Sequence, residues 1–190
     1  EGTMPAENAI TGNTIMSYSY YDDYTAADPG GTVYSTATQG LDFQPDLLAT
    51  AGAETPALSR RTQGLPVASR VRLLPAPGAD ASKVGDWRTS YTWYDDKGRA
   101  IYTLSTDSFQ DGEIHKSITG TQYDFANRML ISRHHLVNVH DTISGSNAHV
   151  ELTKNEYEAY TGRLSKVSHR VNNGTWKILA TYKYDDLGRL

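Results

Sequence analysis

Residues 182–190 read YKYDDLGRL, and the fold is decided here, where a strand pattern runs into a turn instruction. Just ahead of the turn, Trp176, Ile178, Ala180, Tyr182 and Tyr184 fall on one face and Lys177, Thr181 and Lys183 on the other, with Leu179 as the exception. That alternation is the period of a half-buried strand. Asp185 then offers a carboxylate that accepts from backbone amides two residues on. Gly188 supplies the positive φ that closes a type I turn into a three-residue hairpin loop with a bulge. Arg189 and Leu190 begin the return strand.

The same unit recurs upstream, and a repeat of this kind has to be recognised before any single-domain reading. The copies are YDDKGRA from Tyr94, YDFANRM from Tyr123, YEAYTGRL from Tyr157 and YDDLGRL from Tyr184, with starts 29, 34 and 27 residues apart. The third copy carries one extra loop residue and has Glu158 where the others have Asp95, Asp124 and Asp185. Gly98, Asn127, Gly162 and Gly188 share the turn position, and Asn is the residue that best tolerates a left-handed backbone after Gly. Arg99, Arg128, Arg163 and Arg189 follow in the only four Gly-Arg or Asn-Arg steps of the chain, each succeeded by an apolar residue: Ala100, Met129, Leu164 and Leu190.

Tyr-Asp-x-x-Gly-Arg-Leu with an aromatic two residues before the Tyr resembles the YD repeat of RHS proteins. The stretch TQGLPVASRVRLL from Thr62, the block from Ser90 to His134 and VNNGTWKILATYKYDDLGRL from Val171 resemble RHS-repeat proteins of the Bacteroidetes type. The likeness covers most of residues 62–190 and touches SYSYYDDY near the start, where Tyr21, Asp22 and Asp23 lack a Gly-Arg step; roughly the first 15 residues are unmatched. It implies an all-β fold in which successive antiparallel hairpins form part of a curved sheet or spiral β-shell. By the same resemblance, the shell encloses a C-terminal cargo, often a toxin, in a secreted or surface-delivered bacterial protein.

Composition narrows the alternatives. With 18 basic and 22 acidic residues the formal charge is −4, which gives neither a nucleic-acid footprint nor a membrane-surface patch. Tyr supplies 13 of the aromatics against 3 Trp and 3 Phe, and Tyr suits a strand packed on one side and wet on the other. The absence of Cys excludes disulfides and thiolate zinc sites. No apolar run approaches the roughly 18 residues of a spanning helix, and the start does not read as a secretion signal.

Three regions follow. Residues 1–24 form a leading strand region ending in the degenerate tyrosine-rich stretch. Residues 25–83 form an irregular Pro-rich insertion packed on the sheet, marked by Pro29, Pro45, Pro56, Pro66, Pro75 and Pro77. Inside it, PDLLATAG predicts a short helix beginning at Pro45, a favoured first helical residue, and GLPVASRVRLL predicts a strand through Val67, Ser69, Val71 and Leu73. Residues 84–190 hold the repeats, truncated in the last one. Repeats need at least about three neighbours and distinct caps for stability. About three and a half copies with no C-terminal cap read as a segment of a longer array.

Four features could carry chemistry, and each has a plainer reading. His134 and His140 in HHLVNVH share a face of a regular strand, but zinc needs further ligands, so they read as polar fillers. The pairs Asp22-Asp23, Asp95-Asp96 and Asp185-Asp186 lack calcium-loop spacing, and turn chemistry accounts for Asp95 and Asp185. Asp28 to Gly31, ADPGG, reads as a turn rather than a cleavage element. Tyr91, Trp93, Tyr123, Trp176, Tyr182 and Tyr184 could stack sugars, yet an aromatic stripe at strand period is more often core.

The expectation is therefore a non-enzymatic scaffold with no catalytic, cofactor or metal site and no membrane span in this segment. Its structural residues would be Tyr94, Asp95, Gly98, Arg99, Tyr123, Asp124, Asn127, Arg128, Tyr157, Gly162, Arg163, Tyr184, Asp185, Gly188 and Arg189. Its partners would be neighbouring repeats and an enclosed cargo. The alternative is a cell-surface adhesion module that recognises carbohydrate through exposed Tyr and Trp; buried rings would speak against it.

Overall fold

The computed structural model describes residues 16–27, 46–72, 87–108, 114–138 and 149–189. These hold nine strands and one four-residue helix: β1 (Ser17–Asp22), α1 (Tyr24–Ala27), β2 (Thr62–Arg72), β3 (Trp87–Tyr94), β4 (Ala100–Ser108), β5 (Ile114–Tyr123), β6 (Met129–Asn138), β7 (His149–Tyr157), β8 (Leu164–Val171) and β9 (Lys177–Thr181). The strands form one open antiparallel sheet in sequence order, with β1 and β9 at its edges. The all-β architecture of successive hairpins is as the repeat predicts.

Each strand alternates between two unlike faces. Tyr91 pairs with Leu104, Leu104 with Ile118, Ile118 with His135 and His135 with Val150, so one row crosses five strands on the same side. A parallel row runs Trp93, Tyr102, Gly120, Arg133, Leu152, Arg170. These rows hold the core of Trp93, Tyr102, Leu104, Ile118 and Leu152, which Ile101 and Ile131 complete. Burying such an aliphatic side chain contributes about 1.5–3 kcal/mol. The opposite face carries hydroxyls, with Ser90, Ser105 and Ser117 in one row and Thr92, Thr103 and Thr119 in the next.

A strap covers part of the core. Residues 46–59 cross the turn end of the sheet, from β8 toward β3. Asp46 pairs with Arg170 at 2.7 Å and Arg133 at 3.3 Å. Glu54 pairs with Lys97 and Arg99, each at 2.6 Å, and Ser59 donates its amide to the Tyr94 carbonyl. Between these anchors Gln122, 2% exposed, uses its side-chain amide as a peptide would. Its Oε1 accepts from the Leu48 amide at 2.8 Å and its Nε2 donates to the Leu48 carbonyl at 3.0 Å.

Three expectations need correction. PDLLATAG does not continue as a helix: Pro45 lies outside the described residues, and residues 47–50 have no regular structure. The reason is that the Leu48 peptide groups are spent on Gln122 while Leu47 and Leu48 pack against the core. The predicted strand is β2, but it lies within the sheet between β1 and β3 rather than upon it. Its alternation also breaks, because Val67 and Ala68 are both buried at 1% and 4% while Val71 is exposed, and Leu73 is outside the described residues. Finally, β9 is not half-buried. Ile178 and Leu179 are each 64% exposed, since β9 is an edge strand with Leu179 as an extra residue opposite Val167 and Ser168.

The strap generates a first prediction. Gln122→Leu keeps the volume and leaves two peptide groups of Leu48 unpaired, which should cost about 2 kcal/mol in urea unfolding. Gln63→Leu at an exposed position should cost little, and circular dichroism should show the sheet intact in both.

Candidate functional site: a ladder of turns

The repeat turns share one backbone. Gly98, Asn127, Gly162 and Gly188 have φ of 74°, 64°, 69° and 78°, the left-handed region that the hairpin requires. In the first turn the Asp95 amide donates to the Arg99 carbonyl at 3.0 Å and the Gly98 amide to the Asp95 carbonyl at 3.1 Å. The pattern recurs for Asp124, Asn127 and Arg128, and for Asp185, Gly188 and Arg189.

One carboxylate closes each of these turns. Asp95 Oδ1 accepts from the amides of Lys97 and Arg99 at 3.0 and 2.9 Å, and its Oδ2 accepts from Arg99 Nε at 2.6 Å. Asp124 does the same with Ala126 and Arg128, and Asp185 with Leu187 and Arg189. Burial opposes ionisation of Asp95 and Asp124, but hydrogen bonds from Arg99 and Arg128 outweigh it and hold both carboxyls below the usual range. Asp185 is lowered too, first by the Arg189 amide and then by its side chain. The third turn is rewired: the Thr161 hydroxyl donates to Glu158, and the Arg163 amide reaches Thr161 Oγ1 at 3.3 Å.

The turns are joined to one another by a rung that the sequence reading missed. The hydroxyl of each motif tyrosine donates to the carbonyl just past the arginine of the preceding turn: Tyr123 to Ala100 at 3.1 Å, Tyr157 to Met129 at 2.8 Å and Tyr184 to Leu164 at 2.9 Å. The preceding arginine lies over the ring, Arg99 on Tyr123 and Arg128 on Tyr157 at 4.8 Å, and Arg163 on Tyr184 at 5.3 Å. Arg99 also donates to the Asp124 carbonyl at 2.8 Å. The turn glycine has a packing role as well, since a Cβ on Gly162 would sit 2.8 Å from Arg128 Nη1 and one on Gly188 would collide with the Arg163 guanidinium.

This geometry exposes a further unit, split in the sequence. Tyr94 donates to the Pro66 carbonyl at 2.7 Å, so Pro66 stands where Ala100, Met129 and Leu164 stand. Tyr21 pairs with Pro66 as Tyr94 pairs with Ala100, with Val67 the extra residue in one bulge and Ile101 in the other. Gly64 has φ of 79° and donates its amide to Asp22 Oδ1 at 2.5 Å. Leu65 takes the arginine slot, its Cδ1 3.8 Å from where a Cβ on Gly98 would be. Tyr21-Asp22 and Gly64-Leu65-Pro66 are thus two halves of one turn opened by the intervening segment, which includes the strap. The signal was readable only as Tyr-Asp without a Gly-Arg step.

The other candidate features fall as follows. His134 lies opposite Glu151, hydrogen-bonds Ser117 through Nε2 at 2.8 Å and stands on the hydroxyl face; His140 is outside the described residues. Among the described residues no group of three or more His, Asp or Glu is placed to hold a metal ion, and no helix is long and apolar enough to cross a membrane. Asp28 to Gly31 also lie outside them. Trp93 is buried at 3% with Tyr91 stacked on it at 5.8 Å. Tyr123, Tyr182 and Tyr184 are half-buried, and Trp176, 37% exposed, lies beneath Arg170 and Lys154. No protein-family model and no curated protein matches the chain.

Two predictions follow from the ladder. Asp124→Asn, at a carboxylate 2% exposed, should cost roughly 2 kcal/mol, whereas Asp185→Asn in the exposed last turn should cost clearly less in the same urea melts. Because the clamp carboxyls are lowered on folding, their contribution is present above the ordinary aspartate value of about 4 and is lost as pH falls through their folded values. The urea midpoint should therefore drop as pH falls below about 4, and drop less in Asp124→Asn.

Proposed function

We propose that the chain is a non-enzymatic scaffold, a stretch of YD-repeat wall of the RHS kind, whose biological task is to hold a curved sheet around a polypeptide cargo in a secreted or surface-delivered protein. The observation that carries this reading is the rung: the same tyrosine-to-carbonyl bond made at four successive turns, from Tyr94 to Pro66 through Tyr184 to Leu164. A bond that refers only to the previous unit can be repeated indefinitely, which is how repeat arrays grow. The resemblance of the motif to RHS repeats supplies the cargo and the delivery route.

The cover over the turn arginines follows the rungs. Arg189 is 73% exposed at its side chain, against 13% for Arg99 and 32% for Arg128, each of which has a following tyrosine to cover. The adhesion alternative has less behind it, because the motif tyrosines are covered by arginines and Trp93 is sealed in the core.

The test is to add a rung. Fusing a copy of residues 101–128 after Leu190 supplies a return strand, a strand and a new Tyr-Asp turn. The extended chain should melt at a higher temperature and urea concentration and scatter less light than the original. Replacing the tyrosine equivalent to Tyr123 in the added unit by Phe should remove about 1 kcal/mol of that gain. Equal stability of the original and extended chains would sink the scaffold reading.

A further inference from the structure

The hydroxyl face carries a cleft that the turn ladder does not use. Its walls come from four adjacent strands: Arg88 on β3, Ser105 and Asp107 on β4, His115 and Ser117 on β5, and Leu136 on β6. The register makes them one surface, since Arg88, Asp107 and His115 are successive cross-strand neighbours and Ser105, Ser117 and Leu136 form the next row. Lys116 and Val137 border the same space but, as alternate residues of β5 and β6, turn their side chains toward the core-bearing face. The cleft is half-open to solvent and holds about 420 Å³, within the range of small-molecule sites, roughly 300–1,000 Å³. Its groups can be reached from outside: the Arg88 side chain is 53% exposed, that of Asp107 20%, and Leu136 41%.

The polar walls are held in place and keep capacity to spare. Arg88 donates from Nε to Asp107 Oδ1 at 2.5 Å and from Nη2 to Oδ2 at 2.8 Å. That fork leaves the N–H groups of Nη1 and a second lone pair on each carboxylate oxygen for another partner. Ser105 shares a hydrogen bond of 2.8 Å with Ser90. Ser117 shares one of 2.8 Å with His134 Nε2, and Nδ1 of that ring faces Glu151 at 4.0 Å. A hydroxyl has one donor and two acceptor sites, so both serines can serve a ligand as well.

We propose that this cleft binds a neutral sugar, which presents adjacent hydroxyls to Arg88 and Asp107 and a C–H face to Leu136. The ion pair sets a donor beside an acceptor, and two neighbouring hydroxyls complete that pattern by accepting from the one and donating to the other. Ser105 and Ser117 lie one row along, separated by the strand spacing of about 4.8 Å, and reach further hydroxyls of the same ligand. Because these side chains are already fixed, little freedom is lost when the ligand arrives.

Other ligand classes fit less well. The fixed charges of Arg88 and Asp107 cancel, so a carboxylate or phosphate would be repelled by Asp107 and an amine by Arg88. An apolar ligand would take water from the ion pair and the serines without replacing its hydrogen bonds. A nucleobase would need a ring to stack on, and no Tyr, Trp or Phe is among the described residues that line the cleft. The site is therefore distinct from one built on exposed Tyr and Trp, and its affinity should be weak, about millimolar. The inference goes beyond the scaffold reading and does not use it, so sugar binding and array growth succeed or fail separately.

The experiment titrates the full 190-residue chain, isotope-labelled for amide chemical shifts, with cellobiose, maltose and lactose in turn. Saturable shifts centred on the amides around Ser105, Ser117 and Leu136 are expected for at least one of them, and glucuronate should bind more weakly. Asp107→Asn should weaken binding about tenfold. Ser105→Val, which fills the cleft with methyl groups, should abolish it, whereas Thr153→Val, opposite Ser132 on the same face but outside the cleft, should leave it unchanged. Circular dichroism checks each fold, and Ser105→Val carries the comparison if Asp107→Asn fails to fold. The proposal would be overturned by the absence of saturable shifts with all three disaccharides, by shifts centred elsewhere, by undiminished binding in Asp107→Asn or Ser105→Val, or by tighter binding of glucuronate.

Discussion

Each motif tyrosine must set its hydroxyl against a peptide carbonyl in the turn before it, and that requirement governs strand pairing, bulge and stagger together. The carbonyl belongs to the first residue of the return strand, which pairs with the tyrosine of its own hairpin. Reaching it from the next unit works only if that strand carries one extra residue immediately afterward. Val67, Ile101, Leu130 and Ser165 are those extra residues; the first three are buried at 1%, 1% and 8%, while Ser165 is part-buried and donates its hydroxyl to the Glu156 carbonyl. In three of the four hairpins the bulge is therefore both a geometric device and a contribution of an apolar side chain to the interior, in keeping with bulges as built features rather than defects.

The aspartate and the arginine divide the remaining work. The carboxylate closes its own turn and neutralises the guanidinium that it holds. The guanidinium then extends over the next tyrosine, where it is shielded on one side by a ring. Cation, ring and carboxylate thus form a continuous line along one end of the sheet. The strap joins that line through Glu54, which reaches both Lys97 and Arg99. It thereby ties the covering layer to the same electrostatic row that aligns the hairpins.

The turns were legible because Gly, Asn and Asp impose local backbone rules that need no partner. Asp95 and Gly98 could be read from a handful of letters. The rung was not legible, because the meaning of Tyr123 depends on a carbonyl at Ala100, across two strands, and a tyrosine at strand period looks the same whether its ring is core or strut. β2 was misplaced for a related reason. Leu65 occupies an arginine slot and Asp22 lies far from Gly64 in the chain, so the motif was interrupted at the point where its letters should have been contiguous. The segment from Pro45 carried helix-start chemistry, yet one buried amide, Gln122, held its backbone elsewhere. Tertiary pairing outweighed local preference there.

The opened turn also bears on the order in which the sheet assembles. Ser90 and Ser105 are 15 residues apart in sequence, but Thr62 must find the Asp22 carbonyl across 40. Loop-closure entropy grows only as the logarithm of length, so the longer closure adds under about 1 kcal/mol to the equilibrium cost. Its effect on rate is different in kind, because distant pairings are won late while short hairpins form in about microseconds. The contiguous hairpins thus provide a template with Tyr94 already in place, and β1, β2 and the strap close upon it as the last cooperative step. The array is accordingly polar in time as well as in space, with its slow end at β1.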